Sequence, residues 1–252
     1  MFVTYFIYNS IYVDHINNSS TRFISNILPL PAGTANNDLF FYKDVFALDL
    51  LAQKEFEQED HFSYAIEAVV KQKLLDQLID ELNLEFKFLA PDEINTSEYE
   101  AYGWNEKMYK KYLLEPLQQS EILQSAVLDC SNCQLDVRME MERVASLLDM
   151  GIGFSDLAKQ YSEVASSQFG GDVGFVKLDD IDEELKSIWD FEIGEMSDVI
   201  ELSDRFVIAK VYDVTEVGSE REQIGLQIIV MYKNGLSEVL SDRKELAEVK
   251  IF

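Results

Sequence analysis

The chain has 252 residues, 47% of them hydrophobic, and a formal net charge of −26 at pH 7. This length suffices for one large domain or two small ones with buried apolar cores. The negative charge excludes a nucleic-acid-binding protein that works by neutralising phosphates. Because the 47 acidic residues are spread along the chain, we interpret them as a solvated surface, with attraction to basic unfolded polypeptides as the alternative.

The first thirteen residues, MFVTYFIYNSIYV, form an apolar and aromatic segment. It is too short to span a bilayer, which takes about 20 residues, and it lacks the basic residues of a signal peptide. Two interpretations remain: a buried or interfacial helix, or the outer end of a membrane anchor that starts upstream. The Asn- and Ser-rich stretch and the LPLP sequence that follow are typical of a linker. We therefore expect residues 1–33 to be an anchor remnant and a linker.

Residues 34–132 are predicted to form a helical domain without strands. The strongest amphipathic pattern has apolar residues on one helix face at i, i+3, i+4 spacing: Ile66, Val69, Val70, Leu74, Leu78, Ile79 and Leu82. Another helix is predicted over residues 39–56, and Pro91 is predicted to open a short one, because proline suits the first helical turn.

A long helical segment is predicted over residues 106–128, with Asn105 as its cap and a kink at Pro116. It contains most of the sequence YGWNEKMYKKYLLEPLQQSEIL. This pattern is similar to the N-terminal chaperone segment of SurA-like proteins, whose helices form a surface that binds client polypeptides. A generic helical bundle is the alternative interpretation.

Two cysteines, Cys130 and Cys133, form a C-x-x-C pair. Zinc would need two further ligands, and the two histidines, His15 and His61, are distant in sequence. A thioredoxin-type site would need the pair at the start of a helix that follows a strand, whereas helix is predicted before this pair. We expect a local disulfide or two plain thiols, with redox or metal chemistry as the alternative.

The most specific pattern begins with an amphipathic helix over residues 154–161, followed by a Ser-rich loop and the sequence GGDVG at residues 170–174. Glycine is needed there for positive φ or close backbone approach. The sequence GEMS at residues 194–197 and a strand-like run over residues 205–211 follow. These motifs, in this order and spacing, resemble the parvulin family of peptidyl-prolyl isomerases. The resemblance implies that residues 133–217 form a parvulin-like domain.

One element of the family pattern is missing from its usual place. A central strand of pattern A-R-H-I-L-V is expected before the first helix, predicted over residues 135–150, but the residues there look like a helix end. A matching strand occurs at residues 224–231, followed by a predicted helix over 236–246 and a strand over 248–252. We hypothesise that residues 218–252 complete the antiparallel sheet, with the C-terminal strand in its centre. The overall prediction is an α+β protein.

The resemblance also implies a site that grips a proline ring and polarises the twisted amide, without a cofactor or a metal. The substrate-binding positions fall on Val164, Val173, Phe175, Ile181, Leu185, Leu202 and Val207. The first of the family's two histidines falls on Gln227, the second on Val207, and the Asp or Cys position falls on Val164. Because valine cannot polarise an amide, we expect weak or absent isomerase activity. The remaining donor candidates are Ser162, Ser166 and Asp204.

Taken together, the resemblances imply an extracytoplasmic folding factor of the cell envelope that binds unfolded or proline-containing polypeptides. Its prolyl isomerase site is expected to be degenerate. An active peptidyl-prolyl cis/trans isomerase and a structural envelope docking protein are the alternatives. Membrane attachment is expected upstream of residue 14, and no nucleic-acid partner is expected.

Overall fold

In the computed structural model of the protein, residues 9–55, 60–89, 99–218 and 220–252 are described. The α-helices in these ranges are α1 (Ser19–Ile27), α2 (Tyr42–Glu55), α3 (His61–Glu81), α4 (Glu106–Tyr109), α5 (Glu115–Asp129), α6 (Leu135–Asp149), α7 (Phe154–Tyr161) and α8 (Leu236–Leu246). The strands are β1 (Pro31–Ala35), β2 (Asp38–Phe41), β3 (Asp172–Val176), β4 (Ile200–Glu201), β5 (Arg205–Val217), β6 (Glu220–Tyr232) and β7 (Val249–Ile251). Shorter helical segments are the π-helical Asn9–Val13 and Lys110–Leu114 and the 3₁₀-helical Ala165–Phe169, Leu178–Asp180 and Glu183–Asp190.

The chain divides into two compact units. One, here called the helical unit, consists of Met1–Ala126 and Leu236–Phe252; the other, here called the sheet unit, consists of Val127–Gly235. The sheet unit thus lies within the sequence of the helical unit, and the chain passes from one to the other twice. None of the helices in the described ranges combines the length and the apolar character needed to cross a membrane.

The helical unit contains a small antiparallel sheet of order β2-β1-β7. Its β1–β2 hairpin turns at Asn36 and Asn37, whose φ values are 49° and 72°. A two-residue loop with both φ angles positive is the type I′ geometry, which asparagine tolerates and which matches the twist of paired strands. The prediction of a helical domain without strands was therefore wrong, because these strands are short and β1 carries small residues without clear alternation.

Residues 14–33 do not form the expected linker. Asn18 caps α1, since its side chain accepts hydrogen bonds from the backbone N–H groups of Ser20 and Thr21. The buried side chains of α1, Thr21 and Ser25, are 1% and 2% exposed. Ile11, in the expected anchor remnant, is fully buried. The rest of that segment, residues 1–8, lies outside the described residues.

The predicted amphipathic helix is α3, which packs against α2. Its buried residues include five from the predicted face, together with two others: Ala65, Val69, Val70, Leu74, Leu75, Leu78 and Ile79. The predicted cap is confirmed at Asn105, whose side chain accepts the N–H of Met108. The π-helical segment Lys110–Leu114 ends two residues before Pro116. Because proline has no backbone N–H, a regular α-helical hydrogen bond cannot form there. The helix predicted at Pro91 falls outside the described residues.

The sheet unit is built on an antiparallel sheet of order β3-β6-β5-β4. β5 and β6 form a long hairpin in register from Arg205↔Tyr232 to Val217↔Glu220, and the other edge of β6 pairs with β3. The predicted central position of residues 224–231 is therefore confirmed. The first helix of the unit, α6, follows a turn in which Cys130 and Cys133 are joined by a disulfide bond, one of the two states expected for this pair.

Each face of this sheet carries its own apolar cluster. The cluster on the side of α6 and α7, here called the helix-face cluster, comprises Met141, Val144, Leu148, Phe154, Leu157, Ala158, Phe206, Ile208, Ile229 and Met231. The second, here called the site-face cluster, comprises Ile181, Leu185, Ile188, Leu202, Val207, Ala209, Val211, Ile224, Leu226 and Val230. Strand residues alternate between the two clusters, as expected for a sheet covered on both faces.

The C-terminal segment corrects the predicted domain boundaries. Residues 218–252 were expected to complete one sheet, but the sheet unit ends at Gly235, and α8 and β7 belong to the helical unit. β7 pairs with β1, with Ala35 opposite Val249, and not with the parvulin-like sheet. The first segment of the helical unit, Met1–Ala126, starts earlier than the predicted range 34–132 and also ends earlier. The reason is that strand partners distant in sequence leave no local signal.

Candidate functional site

The glycine turn that precedes β3 is fixed by close approach to β6. Gly170 and Gly171 have φ values of 73° and 82°, and a Cβ on Gly171 would lie 2.4 Å from the carbonyl oxygen of Ile228. The N–H of Ile228 in turn donates to the carbonyl of Gly171 at 2.9 Å. Only glycine combines this conformation with this contact, so the motif positions the loop against the central strand.

The loop after α7 runs along the same edge of β6. The backbone N–H of Val230 donates to Ser162 Oγ at 3.0 Å, and the N–H of Glu163 donates to the carbonyl of Val230 at 2.9 Å. The N–H of Tyr232 donates to the Glu163 carboxylate at 2.6 Å. Ser162, a predicted donor candidate, therefore acts here as an acceptor that extends the sheet edge.

Five of the predicted substrate-binding residues come together on the site face. Ile181, Leu185, Leu202 and Val207 are 7%, 8%, 5% and 1% exposed, and the partly buried Val164 packs against their cluster. The contacts are apolar throughout, and the side chains are enclosed within a core. A proline ring would have little of this surface to contact unless the surrounding residues moved apart.

Two predicted residues lie elsewhere. Val173 and Phe175 are 43% and 45% exposed and are not part of the site-face cluster. The ring of Phe175 lies edge-on to that of Tyr212 with 6.0 Å between centroids. The neighbouring residue on β3, Val176, packs against the site-face cluster, so Phe175 points to the opposite face of the strand.

Gln227, the predicted catalytic residue, also faces away from the site. Its Nε2 donates to Ser155 Oγ at 3.2 Å and to the carbonyl of Gly170 at 3.3 Å, beside α7. Its neighbours on the site face are Leu226 and the partly buried Ile228. The family motif aligned its histidine with Gln227, which lies between the site-facing residues Leu226 and Ile228. An offset of one residue along a strand moves a side chain to the other face of the sheet.

The remaining polar candidates, Ser162, Ser166 and Asp204, are not members of the site-face cluster. Ser166 has a buried hydroxyl oxygen for which no hydrogen-bond partner is found. Asp204 lies in the turn before β5, where its carbonyl accepts the N–H of Lys233 at 2.9 Å. Nearby, hydrogen bonds from Lys233 and Arg138 hold the pKa of the Glu201 carboxyl below its usual value. In the described part of the chain, no three His, Cys, Asp or Glu side chains are grouped so as to hold a metal ion.

Sequence reasoning missed six residues of the site-face cluster, all of them buried: Ile188, Ala209, Val211, Ile224, Leu226 and Val230. Alternate positions along β6 were the available signal, since every second residue from Ile224 to Val230 faces this cluster. Together with the predicted residues they form an apolar layer, and no member of the site-face cluster has a polar side chain.

Residues 107–215 match the family model described as the PPIC-type PPIase domain. This part of the chain contains a parvulin-type domain. The match covers less than half of the chain and ends before β6, so the central strand of the parvulin-type sheet lies outside it. No curated protein matches the chain. The SurA-like character of residues 34–132 remains a prediction.

The helical unit offers a second candidate surface, an apolar groove that crosses α3. A cavity of about 390 Å³ lies between α3 and α8, lined by Leu74 and Leu240 among others. A second cavity of about 230 Å³ lies between α3, α2 and α5. Both are lined by Tyr64, Ala68 and Lys71, which therefore connect them. We call the two cavities together the α3 groove.

Proposed function

We propose that this protein is an extracytoplasmic folding factor that binds unfolded or proline-containing polypeptides. In this proposal the parvulin-type domain serves as a binding module with weak or no isomerase activity. The observation that carries the weak-isomerase part of the proposal is the burial of Val207 and Leu202, which are 1% and 5% exposed within an apolar cluster of a parvulin-type sheet.

The chemistry of prolyl isomerisation explains why this burial matters. An X-Pro bond crosses a barrier of about 18–20 kcal/mol, and a catalyst must bind the twisted amide better than either planar form. Polar groups aimed at the twisted amide supply that preference. The positions where the parvulin family carries such groups hold Val164 and Val207 here, and their side chains contact other apolar groups.

Proton NMR exchange on a panel of X-Pro tetrapeptides tests the isomerase part of the proposal. We expect no acceleration of cis/trans exchange by the wild-type protein, together with line broadening that reports peptide binding. The matched control is Gln227→Ala, which we expect to leave the spectra unchanged because Gln227 faces α7. Clear acceleration by the wild-type protein would support the alternative of an active isomerase.

The α3 groove supports the polypeptide-binding part of the proposal. Its two cavities are lined by apolar side chains from four helices, α2, α3, α5 and α8, and its edge carries the ion pair between Glu67 and Lys244 at 3.0 Å. Apolar grooves of this kind accept apolar side chains of a partner, while the charged edge keeps the surface soluble. The groove lies entirely within the helical unit.

Suppression of client aggregation, measured by light scattering at near-equal molar ratio, tests this part. Ala68→Glu places a carboxylate where both cavities meet, and we expect it to weaken binding of an unfolded client about tenfold. Ala101→Glu adds the same charge at an exposed position and should bind as the wild type does. A wild-type protein that neither binds unfolded polypeptide nor slows its aggregation would support a structural docking protein instead.

The proposed location is the cell envelope. The disulfide between Cys130 and Cys133 supports an oxidising compartment, because cytosolic thiols are normally kept reduced. The apolar sequence of the first thirteen residues supports membrane attachment upstream of residue 14. Fractionation of cells that express the full-length protein, with alkylation of free thiols before lysis, tests both points. A cytosolic protein with two alkylated cysteines would contradict the proposed location.

A further inference from the structure

The disulfide turn between α5 and α6 carries chemistry that polypeptide binding alone does not use. Cys130 and Cys133 are both partly exposed, and their disulfide closes a single turn in which the N–H of Cys133 donates to the carbonyl of Cys130 at 2.9 Å. We propose that this pair is a thiol–disulfide exchange site for cysteine-containing polypeptides.

The turn does not depend on the disulfide for its conformation. The side chain of Gln134, 1% exposed, donates to the carbonyls of Val127 and Asn234, both at 2.9 Å. It also accepts the backbone N–H of Asn234 at 2.6 Å. A disulfide that closes so short a loop removes little entropy from the unfolded chain. We therefore expect the reduced and oxidised proteins to share one fold, which would allow the pair to cycle.

The two sulfurs are not equivalent. The backbone N–H of Cys133 donates to Cys130 Sγ at 3.2 Å, so a negative charge on Cys130 would be stabilised by this hydrogen bond. The exposed carboxylates of Asp129 and Asp136 flank the turn and oppose such a charge at both cysteines. The hydrogen bond thus distinguishes Cys130 as the better leaving group and leaves Cys133 as the sulfur that is attacked.

The turn is joined to the edge strand β4 of the sheet unit. Leu128, two residues before Cys130, accepts a hydrogen bond from Lys233 Nζ at 3.1 Å. Lys233 also forms an ion pair with Glu201 of β4 at 2.9 Å, and its ammonium lies 5.7 Å from the centre of the Phe206 ring, on the helix face of the sheet. A polypeptide held along β4 would carry its cysteines near the disulfide. The choice of a polypeptide as partner rests on the proposed function, whereas the exchange chemistry does not.

The reaction balances with a client dithiol as the reductant. A client thiolate attacks Cys133 Sγ, the bond between Cys130 and Cys133 breaks, and its electron pair leaves on Cys130 Sγ. A second client thiolate then attacks the client sulfur of the mixed disulfide and releases the thiolate of Cys133. The client gains a disulfide and loses two electrons, which reduce the pair. The two protons released by the client thiols are taken up by Cys130 and Cys133.

The first test compares reduction of the folded protein with that of a reference peptide. The oxidised hexapeptide DCSNCQ, which has the sequence of residues 129–134, contains the same ring without the fold. With dithiothreitol as the probe, we expect the full-length protein to be reduced at least about threefold faster, because a stabilised thiolate leaves faster. An equal or slower rate would overturn the proposal.

The second test separates the two sulfurs with Cys133→Ser and Cys130→Ser. Toward iodoacetamide as the probe, Cys133→Ser, which retains Cys130, should be alkylated at least about threefold faster at about pH 7 than Cys130→Ser, because the hydrogen bond stabilises the thiolate of Cys130. Equal rates or the reverse order would overturn the assigned asymmetry. The double Ser variant should keep its circular dichroism spectrum; a variant that unfolds would show that the disulfide is a structural brace.

Failure of the polypeptide-binding proposal would give a different result. If Ala68→Glu loses client binding, it should still react with dithiothreitol at the wild-type rate, because the disulfide turn is untouched. Rapid reaction of the wild-type protein with dithiothreitol but not with cysteine-containing clients would support the exchange site and exclude a polypeptide as its partner. Slow reaction with both would remove the site itself.

Discussion

Val207 and Val230 lie directly opposite each other on β5 and β6, and both side chains are buried, at 1% and 2% exposed. Both belong to the site-face cluster of the parvulin-type sheet. An apolar cross-strand pair at this position stabilises the sheet by packing and leaves no group there to polarise an amide. The pair therefore links the stability of the domain to the expected weakness of its isomerase activity.

Replacing Val207 by the histidine of the family pattern should destabilise the protein. In Val207→His an imidazole would be buried against Val230 without a partner, and we expect a loss of about 2–3 kcal/mol in the free energy of unfolding. The loss should increase below about pH 6, where the imidazole would become charged. Urea denaturation at two pH values measures this. Val217→His, at an exposed position of the same strand, should stay within about 0.5 kcal/mol of wild type.

The glycine turn allows a matched pair of substitutions. Gly171 and Gly174 have φ values of 82° and 85°, but a Cβ on Gly171 would meet a carbonyl oxygen at 2.4 Å, whereas one on Gly174 would meet nothing within 4 Å. Gly174→Ala should cost about 1–2 kcal/mol from backbone strain alone. Gly171→Ala should cost clearly more, about 3 kcal/mol or above. Equal melting temperatures for the two variants would contradict this assignment.

Gln134 should be among the most sensitive polar residues of the sheet unit. Gln134→Ala would leave the buried carbonyl of Val127 and both backbone groups of Asn234 without the partner they now have. We expect a loss of about 1–2 kcal/mol, because the carbonyl of Val127 keeps the N–H of Cys130 as a partner at 3.2 Å and Asn234 is only partly buried. Chemical denaturation measures it. The control is Gln124→Ala at an exposed position of α5, which should change stability by less than about 0.5 kcal/mol.

The pH dependence of stability should include a contribution from Glu201. Hydrogen bonds from Lys233 and Arg138 lower the pKa of this carboxyl in the folded state. A carboxyl with a lowered folded-state pKa adds stability at pH values above its unfolded pKa of about 4.3, and this stability is lost as the pH falls through the folded value. Glu201→Gln should therefore be less stable by about 1 kcal/mol at pH 7.

The difference between Glu201→Gln and wild type should shrink as the pH falls below about 4, because both side chains are then neutral. Thermal melts across this range provide the measurement. Glu142→Gln removes an exposed carboxylate of α6 and should give a small, nearly constant difference. A difference for Glu201→Gln that does not depend on pH would mean that the ion pair with Lys233 contributes nothing to folding.

Local sequence patterns were sufficient for much of the sheet unit. The helix over 154–161 was predicted with the observed bounds, and the helix predicted over 135–150 ends one residue earlier, at Asp149. The central position of β6 was predicted from the resemblance of residues 224–231 to the central strand of the parvulin family, and the observed strand order agrees with it. The face on which Gln227 lies could not be read from the motif, since an offset of one residue reverses it.

The small sheet of the helical unit was missed for a different reason. β1 has the sequence PAGTA, in which small residues give no clear alternation, and its partner β7 has three residues near the end of the chain. The two consecutive asparagines at positions 36 and 37 were the one local signal of a hairpin. The pairing of β1 with β7 depends on contacts across more than two hundred residues, which local patterns do not report.

The position of β6 and β7 determines when a newly made chain can fold. Ribosomes synthesise a protein from its N-terminus, so β3 and β5 are made before the strand that separates them in the finished sheet. β1 is likewise synthesised long before its partner strand β7. Until the last thirty or so residues emerge, both units present strand edges that other chains can pair with. The protein therefore itself passes through an aggregation-prone stage of the kind from which a folding factor protects its clients.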